Sequence, residues 1–311
     1  PDHWQSPHLL SNIKEQLDTM TFSASQLDSY QTCPHAYYYK SILKISVPET
    51  ESLEVSHSLW GTLIHSILYE FHTKIRNENI PKSEQKETLH TLATTQFDRY
   101  SQPTFFWDLK RELLFGTESR QGLLSLFLEQ EHNNTAPLNP EKFELSFTLD
   151  APFKIKGSID SLLTAKNASW MAVLDYKTGS KLATSSDIQQ FRSLQLPIYM
   201  LAATKLFPEK QLAGSLLYQL KSPQKFGKHV VCSHPDAKKE VFELARKRPY
   251  LLEDHYFSKL SLYLEQLRAL MYSGKFGHEL PESLSHMSRL RDQQCRYCDF
   301  KTVCKYPERY H

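Results

Sequence analysis

The stretch "MAVLDYKTG", residues 171–179, sets the frame for the whole chain. Met171, Ala172, Val173 and Leu174 form a short apolar run, the mark of a strand buried inside a sheet. Side chains alternate along a strand, so Asp175 and Lys177 leave its end on one face. An ion pair at an exposed strand end stabilises little. An acid and an ammonium aimed together out of a buried strand suit a site where the acid holds a metal and the lysine works beside it.

Outward from this strand, "KFELSFTL" (142–149), "FKIKGSIDSLLTA" (153–165) and "SWMAVLDYKTG" (169–179) are rich in β-formers and separated by turn residues. They predict an antiparallel meander. Residues 186–207 predict a helix despite Pro197, and 212–220 predict a further strand. Upstream, residues 59–75 carry Leu63, Ile64, Ile67, Leu68 and Phe71 at helical spacing. Residues 23–40 read as a helix capped by Ser23 or Ser25. Residues 84–132 read as mostly helical, broken near Pro103 and Gly116, and 236–273 return to helix. The expected class is α/β (α+β), a mixed sheet flanked by helices. Residues 1–21 read as a linker or lead-in, 22–306 as a single domain with a helical insertion at about 76–140, and 307–311 as a tail.

The 311-residue chain has 37 Lys and Arg against 35 Asp and Glu, so any basic surface must be local. No apolar run approaches the roughly eighteen residues that span a bilayer, and no signal peptide opens the chain. The expectation is a cytoplasmic protein with no membrane partner. The chain opens on Pro1, as a processed product or a piece of something longer would. No GxxxxGK[ST] occurs, so this piece lacks a P-loop for ATP.

Asp160 closes "GSID" at the end of the second strand, and Asp175 ends the third. Two carboxylates on neighbouring strands repel unless a divalent cation lies between them, and oxygen ligands suit Mg²⁺ or Mn²⁺. His65, in "GTLIH" one helical turn after Gly61, is a third candidate ligand, and the glycine lets another element approach the helix. Lys177 is placed to orient a water or to meet charge growing on a phosphate oxygen. Gln195 and Tyr199, four apart in "QLPIY", share a helix face and offer a donor, an acceptor, a hydroxyl and a ring to a phosphate or a base. Lys181, Lys221, Lys225 and Lys228 are candidate phosphate contacts.

Five cysteines in a chain without a secretory signal argue against a disulfide framework. Cys295, Cys298 and Cys304 crowd the end of the chain, Cys33 is the candidate fourth ligand, and Cys232 is a spare. Four thiolates hold either zinc or an iron–sulfur cluster.

The succession "GTLIH", "GSID", "VLDYKTG", "QLPIY" resembles the RecB-type nuclease branch of the PD-(D/E)xK superfamily, over roughly residues 22–306. The resemblance implies a restriction-endonuclease-like core with His65, Asp160 and Asp175 as metal ligands, Lys177 as the catalytic partner, and Gln195 and Tyr199 as substrate contacts. Glu144, on the preceding strand, is a candidate assisting residue, though it carries no clean motif. Family members with one cysteine before the core and three after it bind [4Fe–4S]: AddB-type helicase–nuclease subunits and some CRISPR-associated exonucleases. "SQLDSYQTCPHAYYY" with "CRYCDFKTVC" is similar to that pattern. It implies a cluster on Cys33, Cys295, Cys298 and Cys304 that clasps the two ends of the domain. The implied function is a Mg²⁺- or Mn²⁺-dependent DNA exonuclease acting on single-stranded or duplex ends in recombination and repair, either alone or beside a helicase. The rival is a DNA-binding scaffold of a helicase–nuclease complex that cuts little.

Overall fold

The run 171–174 lies in a central strand of a mixed sheet. A computed structural model of the protein describes residues 7–46, 54–134, 138–165, 169–179, 182–222, 225–238, 241, 250–277 and 279–304. A hairpin, β1 (Gly116–Thr117) with β2 (Arg120–Gln121), stands apart from a six-stranded sheet. The large sheet runs in the order β3 (Leu138–Leu149), β4 (Ile155–Ala165), β5 (Trp170–Lys177), β6 (Gln211–Ser222), β7 (Lys225–Cys232) and β8 (Tyr250–Leu251). The first three strands pair antiparallel, as the meander predicts. β5 and β6 pair parallel, which requires the crossover that α8 (Ser185–Gln189) and α9 (Gln195–Leu206) supply. The first seven residues of β5 are all buried, explaining its unbroken apolar run.

Each face of the sheet carries its own core. On one, Ile159, Met171, Val173 and Leu217 pack with residues of α1 (Pro7–Thr19), α2 (Ala24–Thr32), α9 and α11 (Tyr256–Tyr272). On the other, Ala172, Leu174, Tyr176 and Tyr218 pack with α4 (His57–Asn77), α5 (Gln85–Tyr100), α6 (Phe105–Phe115) and α7 (Leu123–His132). The result is a helix–sheet–helix sandwich of the restriction-endonuclease-like kind. Among the described residues, no helix is long and apolar enough to cross a membrane.

Several elements differ from expectation. Residues 7–19 form helix α1 instead of a loose lead-in, because Ile13 and Leu17, four apart, bury against the core. The helix expected over 23–40 does start at an N-cap Ser23, but it breaks at an extended Cys33 (φ −150°, ψ 94°). Pro34 disfavours helical backbone in the residue before it, so α3 (Pro34–Tyr37) begins anew and runs into a π-helical turn, Tyr38–Ile42. The helix expected over 186–207 is two, and Pro197 falls in the first turn of α9, where its missing N–H costs nothing. Strand β7 was not expected; it adds to the free edge of β6. Of the helix expected over 236–273, α10 (Pro235–Ala237) and α11 are seen, with β8 between them, and 239–240 and 242–249 lie outside the described residues. The last helix, α12 (Ser288–Cys295), delivers the cysteine-rich end, and the tail 307–311 lies outside the described residues.

Candidate active site

Asp160 lies in the middle of β4, not at its end. The β4–β5 ladder reaches Ser161–Leu174 and stops where Asp160 and Asp175 come next. There the Tyr176 N–H donates to Asp160 Oδ2 at 2.7 Å, so a side chain enters the ladder in place of a backbone carbonyl. On the other side of β4, the pairs Phe143–Ser161 and Leu145–Ile159 leave Glu144 opposite Asp160. Glu144 has φ 45°, a sparsely populated region for a side-chain-bearing residue and a frequent mark of functional sites. Ser158 Oγ donates to Glu144 Oε2 at 2.9 Å.

Helix α4 brings His65 over this row. Its Nδ1 is 3.4 Å from Asp160 Oδ1 and its Nε2 is 3.0 Å from the Tyr176 carbonyl oxygen. Among the described residues, His65, Glu144 and Asp160 alone bring three possible ligand atoms within 4.8 Å of one another. Glu144 is the residue that the motifs missed. The turn centred near Pro152 would have revealed it, since that centre sets 144 opposite 160. Gly61 meets Thr178 Oγ1 only at ordinary contact distance, 3.4 Å from where a Cβ would stand, so an alanine fits there.

Asp175 is 1 % exposed, and the Lys177 ammonium lies 2.8 Å from its Oδ2. Apart from that ion pair, neither Asp175 oxygen has a hydrogen-bond partner among the described residues. Burial pushes the Asp175 carboxyl up and the Asp160 charge adds to it, against the pull of Lys177. Burial pulls the His65 imidazole down, but the hydrogen bond and charge of Asp160, with Asp175 and Glu144, outweigh it and leave its pKa above the ordinary histidine value. Three carboxylates beside one imidazole and one ammonium make a net acidic, oxygen-rich pocket with orphaned buried oxygens. That donor set fits a hard divalent cation.

Lys177 Nζ also donates to Gln195 Oε1 at 2.7 Å, and Gln195 Nε2 donates to Tyr199 OH at 3.2 Å. Both residues start α9, as their spacing predicts. Tyr199 is 8 % exposed and stands edge-on to Phe147, with ring centroids 5.5 Å apart. Gly157 makes room for that pair: a Cβ there would lie 2.6 Å from Phe147 Cζ and 3.3 Å from Tyr199 Cε1. The glycine of "GSID" therefore serves the ring packing beside the site.

Of the lysines, Lys221 lies near Lys110, whose pKa is lowered first by burial and then by the Lys221 charge. Lys181 lies outside the described residues, as do the side chains of Lys225 and Lys228. Cys33, Cys295, Cys298 and Cys304 all line one small cavity. None of the four is in a disulfide. Burial, then the Ala36 N–H pulling the other way, then the three neighbouring thiols set the Cys33 pKa at about 11. Cys232 lies apart, buried, with its Sγ donating to the His234 carbonyl.

The chain is 25 % identical over 262 residues to a protein of Clostridium botulinum (strain Loch Maree / Type A3) described as a subunit of an ATP-dependent helicase/deoxyribonuclease, covering 76 % of this chain and 22 % of that protein. It is 25 % identical over 273 residues to the protein of the same description from Carboxydothermus hydrogenoformans, covering 79 % of this chain and 24 % of that one. The chain thus spans under a quarter of the length of these relatives. The crystal structure of SSO0001 aligns over 96 % of this chain and 95 % of that one at 13 % identity with a TM-score of 0.32, too low to establish a shared fold. The family profile of the PD-(D/E)XK nuclease superfamily matches residues 21–305, nearly the whole chain, and with the sheet, the split ladder and the Asp175–Lys177 pair it places the chain in that superfamily.

Proposed function

We propose that the protein is a metal-dependent DNA nuclease that shortens DNA from its ends. The observation that carries this reading is the Lys177 ammonium, held between Asp175 and Gln195 beside the His65–Glu144–Asp160 group. His65, Asp160 and Asp175, with Glu144, would hold Mg²⁺ or Mn²⁺. The bound ion supplies Lewis-acid stabilisation of a phosphodiester phosphoryl group and lowers the pKa of water. Lys177 orients the attacking water and meets the charge that grows on the phosphate oxygen. Asp175 holds that ammonium in place. Gln195 fixes its other side, and Tyr199 backs Gln195. The low solvent access of Asp175 strengthens each of these interactions.

The same reading includes a [4Fe–4S] cluster on Cys33, Cys295, Cys298 and Cys304. Its support is that all four thiols line one small cavity, with the spacing of the cysteines in the chain. Such a cluster would tie residue 33 to the chain's end and stabilise the intervening fold. The description of the relatives as helicase/deoxyribonuclease subunits supports a helicase partner, or a helicase region in a longer parent chain; the reading adds a role in end processing for recombination and repair.

The test is degradation of end-labelled single-stranded and duplex DNA by anaerobically purified protein with Mg²⁺, with Mn²⁺ and with EDTA. Metal-dependent shortening of the labelled strands is expected. Tight DNA binding with no cleavage under any metal would favour the scaffold instead.

A further inference from the structure

Helix α9 begins at Gln195 with no side-chain cap of its own. The N–H of its N-cap residue, Leu194, donates to Asp28 Oδ1 at 2.9 Å, across 166 residues of sequence. Asp28 belongs to α2, the helix that ends at Cys33. The same oxygen accepts Gln31 Nε2 at 2.8 Å, and Gln31 Oε1 accepts the Tyr263 hydroxyl of α11 at 2.7 Å. Gln31 and Leu194 are fully buried. Asp28 therefore plays the part of the N3 side chain in a capping box, accepting the N-cap N–H, but it is supplied by another element and braced by a third. A carboxylate there also meets the positive end of the α9 dipole.

What this anchor fixes is the next residue. Gln195 Oε1 is one of the two oxygens that hold Lys177 Nζ. A shift of the first turn of α9 by about an ångström would break that contact, and a misplacement of this size costs about a hundredfold in rate. We propose that Asp28 is a positioning residue for the Lys177 ammonium, acting through Leu194 and Gln195. This inference rests on the reading of Lys177 as the catalytic lysine. Burial brings the Asp28 carboxyl to about 7, yet either protonation state keeps an oxygen for the Leu194 N–H. The amide of Asp28→Asn keeps one too.

The test is steady-state cleavage of end-labelled DNA by D28A, D28N, Q195A and the D28A/Q195A pair, with hydrogen exchange at the Leu194 amide. In D28A, kcat should fall about 10–100-fold with KM within about twofold, and the Leu194 amide should lose protection. D28N should retain at least about a third of the parent kcat. In the Q195A background, D28A should cost less than about threefold more, because the two act in one chain of contacts. A D28A protein with parental kcat overturns the positioning role. So does full additivity with Q195A. If D28A does not fold, D28N decides: a loss as large as that of Q195A overturns the role, and retention supports it. K177A is measured alongside. A fully active K177A sinks the underlying reading, whereas an inactive K177A beside an unimpaired D28A sinks only the role of Asp28.

Discussion

Glu144 stands opposite Asp160 across the β3–β4 ladder, and both carboxylates reach within 4.8 Å of a His65 ring nitrogen. Glu144→Ala is expected to weaken Mn²⁺ binding about 10–100-fold, the range typical for loss of a group that ligates or supports a metal. Calorimetric titration of Mn²⁺ into parent and E144A protein checks this. Equal affinity would place Glu144 outside the metal set.

Lys177→Ala is expected to lower the cleavage rate at least about 100-fold while far-UV circular dichroism is unchanged. Its thermal midpoint should also drop, because the buried Asp175 carboxylate loses its only ion-pair partner among the described residues. Added Mg²⁺ should recover part of that drop by replacing the lost positive charge. A variant indifferent to Mg²⁺ would argue that Asp175 does not face the cation.

The Asp28 carboxyl has a pKa of about 7, raised mainly by burial. It takes up its proton at higher pH in the folded chain than in the unfolded one, whose value is near 4. Its contribution to stability is therefore fully present below about pH 4 and is lost as pH rises through about 7. Asp28→Asn removes this dependence. Between pH 4 and 7 the parent should lose about 2–4 kcal/mol relative to D28N in urea unfolding. Parallel pH profiles for the two proteins would rule the effect out.

Gly157→Ala places a methyl group 2.6 Å from Phe147 Cζ, under the ring that supports Tyr199. The expected cost is about 1–3 kcal/mol of stability, as for other overpacked cores. The substitution should also lower cleavage several-fold by tilting Tyr199. Gly61→Ala, at a 3.4 Å contact, should cost under about 1 kcal/mol and serves as the control. Chemical denaturation of both variants makes the comparison, and equal losses would refute it.

The anaerobically purified parent is expected to be brown and to contain iron and sulfide, and Cys298→Ser to lack all three and to have a lower thermal midpoint. Iron and sulfide analysis settles the point. A colourless parent carrying zinc would show that the four thiols hold a single ion.

How much was legible beforehand follows from how local each signal is. The meander, α4 and the first residues of α9 are encoded in alternation, helical spacing and turn residues, which act within a few positions. The chain order of His65, Asp160, Asp175, Lys177, Gln195 and Tyr199 is likewise a property of the sequence. The break at Cys33 was encoded too, in Pro34, but its meaning depends on residues 295–304 arriving beside it. Glu144 carries no motif of its own; its place against Asp160 follows from strand register, which only the turn centred near Pro152 hints at. Asp28 was silent for the same reason: its partner Leu194 lies 166 residues away. β7 formed a strand because the edge of β6 was open to pair with it. The sequence by itself determined the meander, α4, the start of α9 and which chemical groups are on hand. Only the tertiary structure decided which groups meet, because contacts between distant segments depend on packing and register that no local pattern records.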